Sequence, residues 1–239
     1  MKLTFKVIKY IILIFLIVSI AIFAFKINKG YLMYKNAIQD TAIIDKAKEI
    51  KNKENYTKLE EMPQIYLNAV LAVEDHRFYE HKGLDFISIA RAILKDIREL
   101  KLIEGGSTIT QQLAKNSYFT QEKKIERKIA EIFMANELEH ELSKDQILEL
   151  YLNTSYFGNG YYSVKEAAKG YFEKEPMDMD EFESIMLAGI PNAPSVYAPN
   201  KNPDLAKQRQ KQVARAMVKY GYLTQEEVDK ILNMENRYN

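Results

Sequence analysis

The 239 residues carry 34 basic and 33 acidic side chains, and a net charge of +1 makes no case for a nucleic-acid partner. Cysteine is absent, which excludes disulfides and thiolate-held metals, and only three histidines (His76, His81 and His140) argue against a histidine-rich zinc site. A hydrophobic fraction of 47% and a charged fraction of 28% are ordinary globular values, and the length allows one medium domain with an appendage.

The appendage comes first. Val7 to Phe25 is apolar apart from Lys9 and Ser19. As a helix rising about 1.5 Å per residue it would extend roughly 28 Å, close to the ~30 Å hydrocarbon core of a bilayer. A soluble core helix would keep a polar face, and this segment has none. A signal peptide would carry small residues two apart at its cleavage site, whereas Ala21 and Ala24 are three apart. Residues 7–25 therefore read as an uncleaved transmembrane anchor behind a cytoplasmic tail at 1–6. Lys2, Lys6 and Lys9 precede the span and Lys26 and Lys29 follow it, so the charge bias that orients such helices is slight. Residues 26–61, polar and lysine-rich, read as a linker or stalk, and a folded domain is expected over 62–239.

Helical periodicity governs that domain. Apolar residues recur at helical spacing from Ile65 to Val73, and Phe86, Ile89, Ala90, Ile93, Leu94 and Ile97 share one face of a helix expected over 86–102. A long charged helix over 122–142 carries an apolar seam through Ile125, Ile129, Ile132, Phe133 and Leu138. Two further helices are expected over 180–190 and 203–220. Capping boxes pair Thr108 with Gln111, Ser143 with Gln146 and Thr224 with Glu227. Outside the span no β-branched run has period two, so the fold class is all-α.

Chemistry concentrates in four blocks. In Glu74-Asp75-His76-Arg77-Phe78-Tyr79-Glu80-His81-Lys82-Gly83 an apolar helix ends in two carboxylates. A carboxylate at such an edge is partly desolvated, which raises its pKa toward general-base use; a solvated helix end with incidental charges has the same spacing. The run from Gly105 to Asn116 (GGSTITQQLAKN) places two glycines ahead of a helix start rich in hydroxyls and amides. Free amides there favour an anion, and Lys115 adds a point charge; an elaborate N-cap with a polar outer face is the plain alternative. Arg127 and Glu131 are four apart on one helix face, with Lys128 between them, which fits either a surface ion pair or a second carboxylate facing the same cleft. The block from Ile147 to Asn153, followed by Tyr156-Phe157-Gly158-Asn159-Gly160-Tyr161, joins a core-like helix to an aromatic turn suited to stacking on a sugar or simply to ending the helix.

In this order the blocks resemble the signature motifs of the bacterial peptidoglycan glycosyltransferase family 51, the transglycosylase domain of class A penicillin-binding proteins: EDxxFxxHxG, GxSTITQQLxKN, RKxxE and ILExYLNxxYFGxGxYG. A fifth family region is similar to Glu183 through Pro194, with Tyr197 and Pro199 after it. Ser163 and Glu173 stand where the family usually has glycine, which puts local loop geometry in question. Without an SxxK acyl-serine domain, the chain is expected among the monofunctional members.

The resemblance implies a lysozyme-like glycosyltransferase domain with a small membrane-associated lobe, for which residues 82–104 are the candidate. It implies an inverting enzyme that polymerises lipid II into β-1,4-linked glycan and releases undecaprenyl pyrophosphate, as part of cell-wall synthesis. Glu74 would be the general base on the acceptor hydroxyl and Glu131 the second catalytic carboxylate. Lys115, Arg127 and Lys128 would surround the pyrophosphate, with Ser107, Thr108, Gln111 and Gln112 on donor oxygens. Asp75, Phe78, His81, Gly106, Asn116, Asn153 and Tyr156 complete the expected substrate-binding set. A divalent cation, magnesium or manganese, would suit such a leaving group, although no metal cage is readable in the sequence, and no organic cofactor is expected. Expected partners are lipid II, the growing glycan, the membrane, transpeptidases and other cell-wall proteins. The domain is expected outside the cell membrane, with the N-terminus in the cytoplasm. The alternatives are a glycan-cleaving hydrolase on a lysozyme-like fold, which has no pyrophosphate to bind, and an inactive anchored scaffold, which would need a broken site.

Overall fold

The computed structural model describes residues 2–99, 106–120, 122 and 124–233. Gly105 and residues 100–104 of the expected membrane lobe lie outside the described residues, and no strand occurs among those described. The chain opens with α1 (Lys2–Asp40), a 39-residue helix, and α2 (Ile43–Lys51). Next come α3 (Gln64–Glu74), α4 (Phe86–Glu99), α5 (Ile109–Tyr118) and α6 (Ile125–Glu141). The order continues with α7 (Lys144–Leu152), α8 (Val164–Phe172), α9 (Glu181–Gly189) and the single turn α10 (Pro194–Tyr197). It closes with α11 (Pro203–Lys219) and α12 (Gln225–Leu232).

The expected helices form, and the three capping boxes are made: Thr108, Ser143 and Thr224 each accept from the backbone three residues on. Two groups of helices carry the core. In one, α3, α9 and α11 pack together; in the other, α5 packs on α6 and α7, with α1 laid along α6. Tyr66, Ile109, Leu113, Met134, Ile147, Tyr151 and Ile185 are fully buried at their meeting.

Residues 26–61 are not a free stalk. The lower half of α1 docks on α6, where Tyr34 is buried, stacks on Phe133 at 5.7 Å and bonds Glu137 at 3.0 Å. Lys26 pairs with Glu126 at 2.7 Å, and Ile43, Ala47 and Ile50 of α2 enter the core. The composition of this segment is polar, yet Tyr34, Ile43, Ala47 and Ile50 turn inward while Ile27, Tyr31, Leu32 and Ile44 stay exposed. Burying each isoleucine is worth roughly 1.5–3 kcal/mol, enough to hold a short amphipathic helix against the domain. The packed unit therefore begins inside α1, well before Met62. The upper half of α1 stays exposed: Lys6–Asp40 contains a window with mean hydropathy 2.8 and none of it buried, long and apolar enough to cross a membrane.

The two glycine replacements differ in their local consequences. Ser163 is fully buried as the N-cap of α8 and accepts from Glu166 N, a position where serine is among the preferred residues. Glu173 ends the same helix with φ +58°, in the left-handed region where glycine is the unstrained choice.

Candidate active site

Glu74 is the last residue of α3, and its half-buried carboxylate reaches a cavity of about 180 Å³. Val73, Ser107, Gln112, Lys115, Pro191 and Asn192 line the rest. Gln112 Nε2 donates to Glu74 Oε2 at 2.8 Å, while Oε1 is shielded from solvent with no protein partner. Tyr151 in turn donates to Gln112 Oε1 at 3.4 Å, which orients the amide. Burial pushes the Glu74 pKa up, against the Gln112 bond and the charges of Arg209 and Lys115. A carboxylate with one oxygen held, the other without a protein partner and a pKa raised by burial is suited to take a proton.

On the other side of the cavity is a cationic group. Ser107 accepts from Lys128 Nζ at 2.6 Å, and Lys128 also bonds Glu131 Oε2 at 3.0 Å. Arg127 holds the other oxygen of the buried Glu131 and donates from Nε to Glu122 O at 2.5 Å. Lys115 is drawn down from its ordinary pKa by burial, opposed by the nearby Glu131 and Glu74 carboxylates. Lys128 links Glu131 to Ser107, which lines the same cavity as Glu74. Two lysines and an arginine around one buried glutamate leave a net positive wall, suited to an anionic oxygen-rich group.

This arrangement bears on the metal question. Both Glu131 oxygens are taken by cations, and no cluster of three or more His, Asp or Glu side chains among the described residues could hold a metal ion. The residues do not fit a protein-held cation.

Several expected substrate contacts turn out to build the site from within. Asp75 is buried and accepts from His81 Nε2 at 2.9 Å and from Ile109 N at 3.1 Å. It ties the end of α3 to the start of α5, so Glu74 and the hydroxyl run are held in register. Phe78 is buried, and Thr108 and Gln111 are spent on their capping box, with the Thr108 hydroxyl also donating to Gly83 O at 2.7 Å. Asn153 is buried and donates to Thr57 O at 2.8 Å, away from the cavity lining. Tyr156 is half-buried and packs at a tilt against Tyr162, ring centroids 4.7 Å apart, also outside that lining. Gly106 precedes Ser107 with only Ala92 near its open side, and Asn116 is half-buried on α5. Of the expected set, Glu74, Ser107, Gln112 and Lys115 line the cavity, and Arg127, Lys128 and Glu131 support it.

Arg209 of α11 is an addition. It donates to Gly189 O at 3.2 Å and its charge lowers the Glu74 pKa. Pro191 and Asn192 are the other additions, from the turn after α9. The fifth motif region signalled that turn, whereas no motif marks Arg209.

Comparison with known proteins bears on the family of the chain. The family model described as Transglycosylase matches residues 40–218. The chain is 43% identical over 188 residues to penicillin-binding protein 1A of Neisseria lactamica, covering 79% of this chain and 24% of that one. It is 46% identical over 169 residues to penicillin-binding protein 1F of Bacillus subtilis, covering 71% and 24%. It thus spans about a quarter of the length of the curated relatives it matches. The crystal structure of penicillin-binding protein 1A from Haemophilus influenzae aligns with a TM-score of 0.42 at 22% identity, over 74% of this chain and 17% of that one.

Proposed function

Because this chain belongs to the transglycosylase family, we propose that it is a peptidoglycan glycosyltransferase that polymerises lipid II into β-1,4-linked glycan at the cell membrane. The observation that carries the reading is the Glu74 carboxylate, one oxygen bonded and one bare, across a small cavity from the Ser107–Lys128–Glu131–Arg127 group. Glu74 takes the proton from the acceptor 4-hydroxyl as that oxygen attacks the donor anomeric carbon. The bond from that carbon to the pyrophosphate breaks, and the leaving group departs carrying its charge. Lys115 and Lys128 face that charge, so the leaving oxygen needs no proton. Glu131 holds Arg127 and Lys128 in place. Any divalent cation that accompanies the reaction would travel on the substrate phosphates.

The exposed apolar half of α1 anchors the protein, with the N-terminus in the cytoplasm and the domain on the outer face. The growing glycan and lipid II are the partners this site selects; a transpeptidase acting on the product is a further expected neighbour.

Purified protein incubated with labelled lipid II is expected to yield polymer, and Glu74→Gln to lose about 10²–10⁴-fold in rate. Equal rates would refute the base assignment, and cleavage of finished glycan would make the protein a hydrolase. Protease added to intact spheroplasts is expected to digest the domain while sparing an N-terminal tag.

A further inference from the structure

A second cavity, of about 480 Å³, shares no lining residue with the first. It lies among the turn at Leu59, the first half of α3, the start of α7 and the Tyr222 corner before α12. Leu59, Leu67, Leu71 and Leu148 supply an aliphatic floor. Around it stand two carboxylates, Glu60 and Asp145, and two phenol rings, Tyr79 and Tyr222, with no Lys, Arg or His in the lining. The remaining polar groups, Gln64 and Asn68, are bonded to each other at 3.0 Å.

These groups select by charge and shape. Tyr79 donates to Asp145 at 2.9 Å and keeps its ring more than half exposed. Burial and that bond push its phenol up to about 12, so the ring stays neutral at physiological pH. Exposed aromatic faces beside carboxylates attract ammonium and guanidinium groups, and a leucine floor accepts the methylene stem that such groups carry. Glu60 pairs with Lys58 through an exposed contact at 3.3 Å that an incoming cation can displace. A phosphate or carboxylate ligand would meet two like charges. A sugar would find one of the two amides partly engaged, since Gln64 Nε2 donates to Asn68 Oδ1. The volume falls within the ~300–1,000 Å³ usual for ligand sites, room for one long side chain and its neighbours.

We infer that this cavity binds a lysine or arginine side chain flanked by apolar residues, presented by a peptide segment of another protein. The site is separate from the glycosyltransferase reading and stands or falls without it. The test uses the full chain in detergent micelles and three fluorescein-labelled peptides: acetyl-Leu-Ala-Lys-Ala-Leu-amide and its Lys→Glu and Lys→Leu analogues. Anisotropy is expected to show the lysine peptide binding at least ten-fold tighter than either analogue, with affinity falling as salt rises. The double variant Glu60→Gln/Asp145→Asn is expected to lose that preference while its lipid II polymerisation stays at the wild-type rate. Glu60 is exposed, so Glu60→Lys, which leaves folding intact, is expected to shift preference toward the glutamate peptide. Equal binding of the three peptides, binding of none, or an unchanged preference in both variants would overturn the inference. Saturable binding of a chitin disaccharide that displaces the lysine peptide would overturn it in favour of a sugar pocket.

Discussion

Glu74 is held in a state that opposes its own ionisation. Its pKa lies above the ordinary 4.5 because burial outweighs the Gln112 bond and the two cations. Stability contributed by such a group is fully present below the unfolded value and is lost as pH rises through the folded value. At neutral pH the ionised carboxylate therefore costs stability, at about 1.4 kcal/mol per unit of elevation. Glu74→Gln is expected to melt higher than wild type at pH 7.5 and to lose that advantage below pH 4.5, as calorimetry across pH would show. Arg209 works in the opposite direction. Arg209→Gln removes a positive charge, so the acid limb of the rate profile is expected to move to higher pH. An unmoved limb would separate Arg209 from the base. Sequence motifs exposed Glu74, Ser107, Gln112 and Lys115 because each has its chemistry written in its type and neighbours. They did not show that Asp75, His81, Thr108 and Gln111 turn inward, since a polar side chain that binds substrate and one that caps a helix read alike. Arg209 was illegible for a different reason: α11 brings it to Glu74 from 135 positions away.

Among the elements, α6 has a double load. One face carries Arg127, Lys128 and Glu131, and the other receives α1. Gly30 is the point of closest approach, where an added Cβ would meet Ile129 Cγ2 at 2.6 Å and Glu126 O at 2.7 Å. Gly30→Val is expected to push the helices apart at a cost of about 1–3 kcal/mol. It should lower both the melting temperature and the polymerisation rate, and an unchanged rate would show that α6 is braced without α1. The end of α8 offers the converse test. Glu173 in the left-handed region carries a strain that glycine lacks, partly offset by the greater freedom of glycine in the unfolded chain. Glu173→Gly is expected to stabilise by about 0.5–1 kcal/mol, a rise of roughly 1–4 °C. Ser163, by contrast, is best left alone, since its hydroxyl caps α8. Helix positions were legible wherever an apolar stripe or a capping box marked them. The docked linker was not, because its many lysines conceal the few residues that face inward.

At the scale of the whole molecule, the boundary between anchor and domain falls inside one unbroken helix. Removal of residues 2–25 is expected to leave the melting temperature within a few degrees of wild type, since the packed contacts begin at Lys26. Removal of residues 2–40 deletes Tyr34 and the Lys26–Glu126 pair, and is expected to lower it by much more. Similar melting for both truncations would return residues 26–40 to the role of a stalk.

The continuity of α1 has a mechanical consequence. At about 1.5 Å per residue the helix is a rod roughly 58 Å long, one half in lipid and the other keyed to α6 without a joint. Height and azimuth of the reaction centre over the bilayer are then settled together, as on a shaft that cannot swivel at its collar. Under the proposed function, such a machine would reach new substrate by drifting in the plane of the membrane, and the strand it extends would leave along a bearing set by the shaft.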